Sequence, residues 1–169
     1  MSVSGIRFSG SLRVRGEIWD WFDTPLADPR YTYFGSLLRL NLSQEKKKWG
    51  WQVEFAQPLL VNLPETSIAP SPQGQLGMGA SYFAANMDST PLNLFLKQGF
   101  VRLNGIFGDK PSSVRVGRFE FVDGAESSPK DATLAVLKRD RIAHRLVGNF
   151  GFSHVGRSFD GVQYVRGTP

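Results

Sequence analysis

The chain has 169 residues, 41% of them hydrophobic, with 18 Gly and 10 Pro. That is enough for one domain of ordinary size, and too apolar for a disordered one. Formal net charge is +5, and thirteen of the twenty basic residues are Arg, whose fork matches carboxylates and phosphates. With no Cys, disulfides and thiolate metal sites are excluded. No apolar run approaches the ~20 residues of a spanning helix. A helical membrane protein is therefore excluded, whereas a β-barrel, whose strands show only alternation, is not.

The first predicted element is a long strand from Gly5 to Asp20. Its even positions read Ile6, Phe8, Gly10, Leu12, Val14, Gly16 and Ile18; its odd positions carry Arg7, Arg13, Arg15 and Glu17. "DTPLADPR" then reads as a loop, with two prolines and two aspartates. Thr32 to Ser43 alternates again, with Phe34, Leu38, Leu40 and Leu42 on one face and Tyr33, Leu37, Arg39 and Asn41 on the other. After the charged turn "QEKKK", a third strand sets Trp49, Trp51, Val53 and Phe55 against Gln52 and Glu54.

From Pro58 to Pro91 alternation stops. The segment is rich in Pro, Gly, Ser and Asn, with one possible helical turn at Ala80–Ala85. Strands resume over Leu92–Phe107 and Ser113–Phe121. In the latter, Val114 and Val116 place Arg115 on the polar face, while a bulge at Gly117 would place Arg118 there instead. Pro129–Ala143 has helical spacing at Leu134, Leu137 and Ile142, with acids early and bases late. "AHRLVGNFGF" and "SFDGVQYV" read as two more strands, with Asp160-Gly161 a turn or bulge signal.

The total is about seven strands, several at or above the ~9–11 residues that cross a bilayer at a tilt. The expected fold is all-β, an antiparallel meander forming part of a transmembrane β-barrel, with one short helix in a loop. The alternating pattern has two readings in space. A soluble sandwich turns its apolar face inward, whereas an outer-membrane barrel turns it to lipid and lines a wet lumen with the polar face. Aromatics near strand ends (Trp19, Trp21, Phe22, Tyr31, Tyr33, Phe34, Trp49, Trp51) suit a membrane boundary, or ordinary core packing.

"GRSFDGVQ", "VRVGRFEF", "GQLGMGASYF" and "SLRVRGE" together resemble the alginate-export family of bacterial outer-membrane barrels. The resemblance implies a large porin-like barrel that passes an acidic polysaccharide such as alginate, or a smaller anionic solute, through a basic lumen. Its partners would be that solute and outer-membrane lipid, not nucleic acid, and its location the bacterial outer membrane. It also implies a longer protein. Residues 1–169 are expected to be the N-terminal part of a single barrel domain, although the first residues lack signal-peptide character and "YVRGTP" lacks a terminal aromatic.

The substrate-binding candidates are Arg13, Arg15, Arg39, Arg102 and Arg118, each offering transient pairing with uronate carboxylates. Glu17, Glu54 and Glu120 are expected to pair with arginines and hold them extended. No catalytic set is expected: an acid pair drawn from Glu54, Glu120 and Asp123 has no demanding spacing, and neighbouring arginines disfavour a raised-pKa acid. His144 and His154 lack a third ligand, so no metal or cofactor is expected. The alternatives are a soluble β-sandwich binding acidic glycans, and a polysaccharide-active enzyme.

Overall fold

The structure is a computed structural model, and it describes residues 2–3, 5–106, 111–123, 129–142 and 147–166. Seven strands form one open sheet in chain order: β1 (Ser2–Val3), β2 (Ile6–Asp20), β3 (Arg30–Glu45), β4 (Trp49–Val61), β5 (Phe95–Asn104), β6 (Ser112–Phe119) and β7 (Phe159–Arg166). The sheet is an antiparallel meander. Helix α1 (Gly77–Asn86) follows β4, and α2 (Ala132–Leu137) runs into a π-helical turn over Lys138–Ile142. The side chain of Asp131 caps α2 by accepting from the backbone N–H of Leu134.

Six strands fall where alternation predicts them, with differing ends. β4 continues through Pro58 to Val61, where an isolated bridge joins Leu59 to Leu92 and the Pro58 carbonyl accepts from the Asn93 N–H. Over 147–152 the chain turns and makes no strand, contrary to the expectation for "AHRLVGNFGF"; residues 143–146, His144 included, lie outside the described residues. Phe150 adopts φ 48° and Ser153 N–H bonds back to its carbonyl, which bends the segment. The added strand is β1, two residues long, paired to Arg7 and Ile6.

No bulge occurs at Gly117. Its φ of +130° lets the strand twist without an extra residue, and the β5–β6 register runs unbroken from Gly99–Arg118 to Asn104–Ser113. The register shift lies instead between β4 and β5, where Glu54 pairs with Gln98 and Phe55 with Leu96. Lys97 is the extra residue. A bulge re-aims neighbouring side chains, and here both Lys97 and Gln98 are buried. Asp160-Gly161 is no turn; both residues sit within β7, opposite Arg118 and Gly117.

Contacts divide the chain into two units: Met1–Gly10, Arg39–Ala56 and Phe95–Pro169 in one, Ser11–Leu38 and Gln57–Leu94 in the other. In the second unit Tyr33, Leu60 and Leu63 form a small core, with Trp19, Tyr31, Tyr82 and Phe83 packed against it. Helix α1 lies close upon this cluster because Gly77 and Gly79 in its first turn carry no side chain; a Cβ at either would run into Trp19, Tyr31 or Tyr33. The Tyr31 hydroxyl donates to the Leu76 carbonyl at 2.7 Å and accepts from the Gly79 N–H at 3.2 Å. Trp19, Tyr31 and Tyr33 are therefore core residues. Trp21, Phe22 and Phe34 remain exposed.

Candidate functional site

The two faces of the sheet differ in exposure, and the apolar face is the more open one. Along β2 the apolar residues Phe8, Leu12, Val14 and Ile18 are 49%, 66%, 66% and 85% exposed, while Arg13, Arg15 and Glu17 are half-buried. On β3, Phe34, Leu40 and Leu42 are exposed, whereas Tyr33 and Leu37 are buried and Arg39 half-buried.

In the first unit the strand register extends this to four strands. One cross-strand row reads Trp49, Leu103, Val114, Tyr164, and the next reads Trp51, Val101, Val116, Val162. Trp49, Leu103, Tyr164, Val101, Val116 and Val162 are exposed. A third row, Val53, Gly99, Arg118, Asp160, carries the only ion pair of the three. Arg118 grips Asp160 with two bonds, 2.8 Å from Nε and 2.7 Å from Nη2, so the two charges cancel.

The opposite face carries the charge. Its rows read Gly50, Arg102, Arg115, Gln163 and Gln52, Phe100, Gly117, Gly161. Arg39 donates to both Glu54 and Glu120, the latter at 3.0 Å. Gln98 donates to Glu54 at 2.6 Å, and Lys97 lies 3.4 Å from Glu120. The two cations and two carboxylates of this network sum to zero. Glu54 and Glu120 thus hold the half-buried Arg39 guanidinium in place. Lys97 Nζ also donates to the carbonyls of Val155 and Arg157, both at 3.2 Å, fastening the 155–157 segment to β5.

Arg102 and Arg115 stand opposite each other and differ from this pattern. Arg102 meets Glu45 only at 4.0 Å. Among the described residues no carboxylate lies within ion-pair distance of Arg115; it donates to the neutral Gln163 and rests over Phe119 at 4.0 Å and Phe100 at 5.0 Å. Arg102 lies over the same Phe100 ring at 5.6 Å. A cavity of about 500 Å³ opens beside them, lined by Arg7, Glu45, Gln52, Phe100 and Arg102 among others.

The structure thus distributes the five candidate arginines. Arg15 pairs with Glu17 at 3.1 Å, and Arg13 lies half-buried on the same face of β2. Arg39 is clamped by Glu54 and Glu120, and the three glutamates singled out for pairing do pair. Arg102 is on the charged face, and Arg118 is on the apolar one, where Arg115 was its rival in phase. Sequence reasoning missed Lys97, because the bulge that buries it has no signature in alternation. It named Arg115 without choosing it, although the Val114-Arg115-Val116 alternation already marked it. His154 is fully buried. No group of three or more His, Cys, Asp or Glu among the described residues is placed to hold a metal ion. No helix among them is long and apolar enough to cross a membrane, which says nothing of strands. Comparison with family models, curated proteins and solved structures finds no match.

Proposed function

We propose that the chain is part of a bacterial outer-membrane β-barrel, a passive, non-enzymatic conduit for an anionic polysaccharide such as alginate, or for a smaller anionic solute. One observation carries this reading: along the sheet the apolar face is the exposed one, and the face that bears Arg13, Arg15, Arg39 and Glu54 is the more enclosed. In water, contiguous rows of exposed Trp, Leu, Val and Tyr would be an aggregation surface. Against acyl chains the same rows are satisfied, and the charged face then borders water. Strand length supports it, since β2, β3 and β4 run to 15, 16 and 13 residues, where soluble strands average nearer 5–6. A sandwich would need a second sheet over the apolar rows, and the seven described strands all belong to one. The arginine bias of the sequence supports an anionic solute.

Folding the chain into vesicles with brominated acyl chains tests the lipid contact. Trp49 and Trp51 are expected to be strongly quenched. Unquenched tryptophans in a chain that stays monomeric in plain buffer would overturn the reading. The conduit is tested in planar bilayers, where an anion preference and block by uronate oligomers are expected; cation preference refutes it.

A further inference from the structure

The hairpin between β3 and β4 is closed by Lys46, Lys47 and Lys48. The Lys46 N–H donates to the Trp49 carbonyl, and the Asn104 N–H to the Lys48 carbonyl, both at 2.8 Å, so the turn is tied to β5. All three lysines are exposed. Among the described residues none of them has a carboxylate within ion-pair distance. Glu45, the acid beside them, is engaged on the charged face: it lies 4.0 Å from Arg102, accepts from Asn104 at 3.2 Å and stands over Gly50. The turn abuts the apolar row Trp49, Leu103, Val114, Tyr164, in which Trp49 and Tyr164 are exposed. Two residues beyond Tyr164, at the end of β7, stands the exposed Arg166, opposite Ser112. At about 3.4 Å of rise per residue, Lys47 and Arg166 start about 7 Å beyond the aromatic row.

We propose that the 46–48 turn, with Arg166 continuing it at β7, is a basic rim that docks the phosphate headgroups of an anionic glycerophospholipid. The proposal rests on the lipid-facing reading above and deepens it, since acyl chains against the apolar rows bring headgroups to the cations beyond them. Trp and Tyr favour the boundary between acyl chains and headgroups, and lysine stems extend past it to carry their charge into the polar layer. An ammonium is a compact charge on a flexible stem, so it meets phosphate from many directions, as a fluid headgroup layer requires. The lysines stand on an open turn, where a small free anion would find no enclosure.

The test folds the full chain into phosphatidylcholine vesicles containing phosphatidylglycerol, with either lipid in turn carrying bromine. The ratio of tryptophan quenching by the two reads the headgroup preference, and the share lost in W49F is that of Trp49. Wild type at low salt is expected to prefer phosphatidylglycerol about fivefold or more, the effect of even one basic residue near an anionic surface. Molar salt, or K46Q, K47Q and K48Q combined, should leave less than about a twofold preference. Arginine at the same three positions should retain it. K130Q, which removes a lysine from the 120–158 connection, should change it by less than about twofold. No preference in wild type, a preference that outlasts the three lysines, or one that K130Q removes as fully would each overturn the rim. So would its loss to inorganic phosphate at matched ionic strength, which would mark a free-anion site. The two readings fail differently: no quenching by either brominated lipid defeats the lipid-facing rows, whereas equal quenching by both defeats the rim alone.

Discussion

Replacing Val116 by Lys makes the sharpest demand on the orientation of the sheet. Val116 is 49% exposed, and its cross-strand neighbours Val101 and Val162 are 51% and 69% exposed. In a water-facing sheet a surface change of this kind shifts stability by no more than about 0.5 kcal/mol, plus the loss of a cross-strand valine contact of about 0.2–1 kcal/mol. Against hydrocarbon, a lysine on the outward face of a barrel costs about 2–4 kcal/mol near mid-depth. At 1.4 kcal/mol per tenfold, that is roughly 30- to 700-fold in the folding equilibrium. The assay is denaturant-driven folding into vesicles, followed by tryptophan fluorescence, with Ser11→Lys on the charged face of β2 as comparison. Ser11→Lys is expected to stay near wild type. A Val116→Lys protein that also folds into vesicles within about 0.5 kcal/mol of wild type would refute the lipid-facing assignment of this row.

Three further outcomes follow from the packing. Glu54→Gln leaves the Arg39 guanidinium with Glu120 alone and weakens the bond from Gln98; loss of about 2–4 kcal/mol is expected in denaturant unfolding, below the full cost of an orphaned charge because one partner remains. Gly79→Ala would stabilise an exposed helix by about 1 kcal/mol. Here its Cβ would come within 2.5 Å of the Tyr31 ring and 3.1 Å of Tyr33, so a loss of about 1–3 kcal/mol is expected from overpacking, measured by the thermal midpoint. Asp160→Asn leaves Arg118 charged among Val116 and Val162, and should lower the yield of chain folded into vesicles, while Arg118→Gln combined with it restores that yield.

Much of the fold was legible because period-two alternation reports directly on a two-faced sheet. It located six of the strands and divided their residues into two faces. What alternation could not report was which face meets water, since lipid outside and core inside produce the same pattern. Exposure of Leu12, Val14 and Ile18 shows that the apolar face of β2 lies open, which supports the lipid-facing reading proposed above. The site was less legible. Arg39 and Arg102 read alike as single letters on polar faces, yet Arg39 is neutralised through Glu54 and Glu120, the latter 81 residues away in sequence. Arg118 went to the other face because Gly117 absorbed its twist without adding a residue. Helix α1 was reduced to a short turn, because its glycines, poor helix formers, are placed there to admit the tyrosines of β3.

Lys97 shows how much one supernumerary residue governs. Were it deleted, β4 and β5 would pair with unbroken rhythm, and the strand would gain regularity. The cation that fastens 155–157 would vanish with it, freeing the stretch that leads into β7 from its anchor on β5. A sheet smoothed in this way would be tidier along its length and looser across its wall.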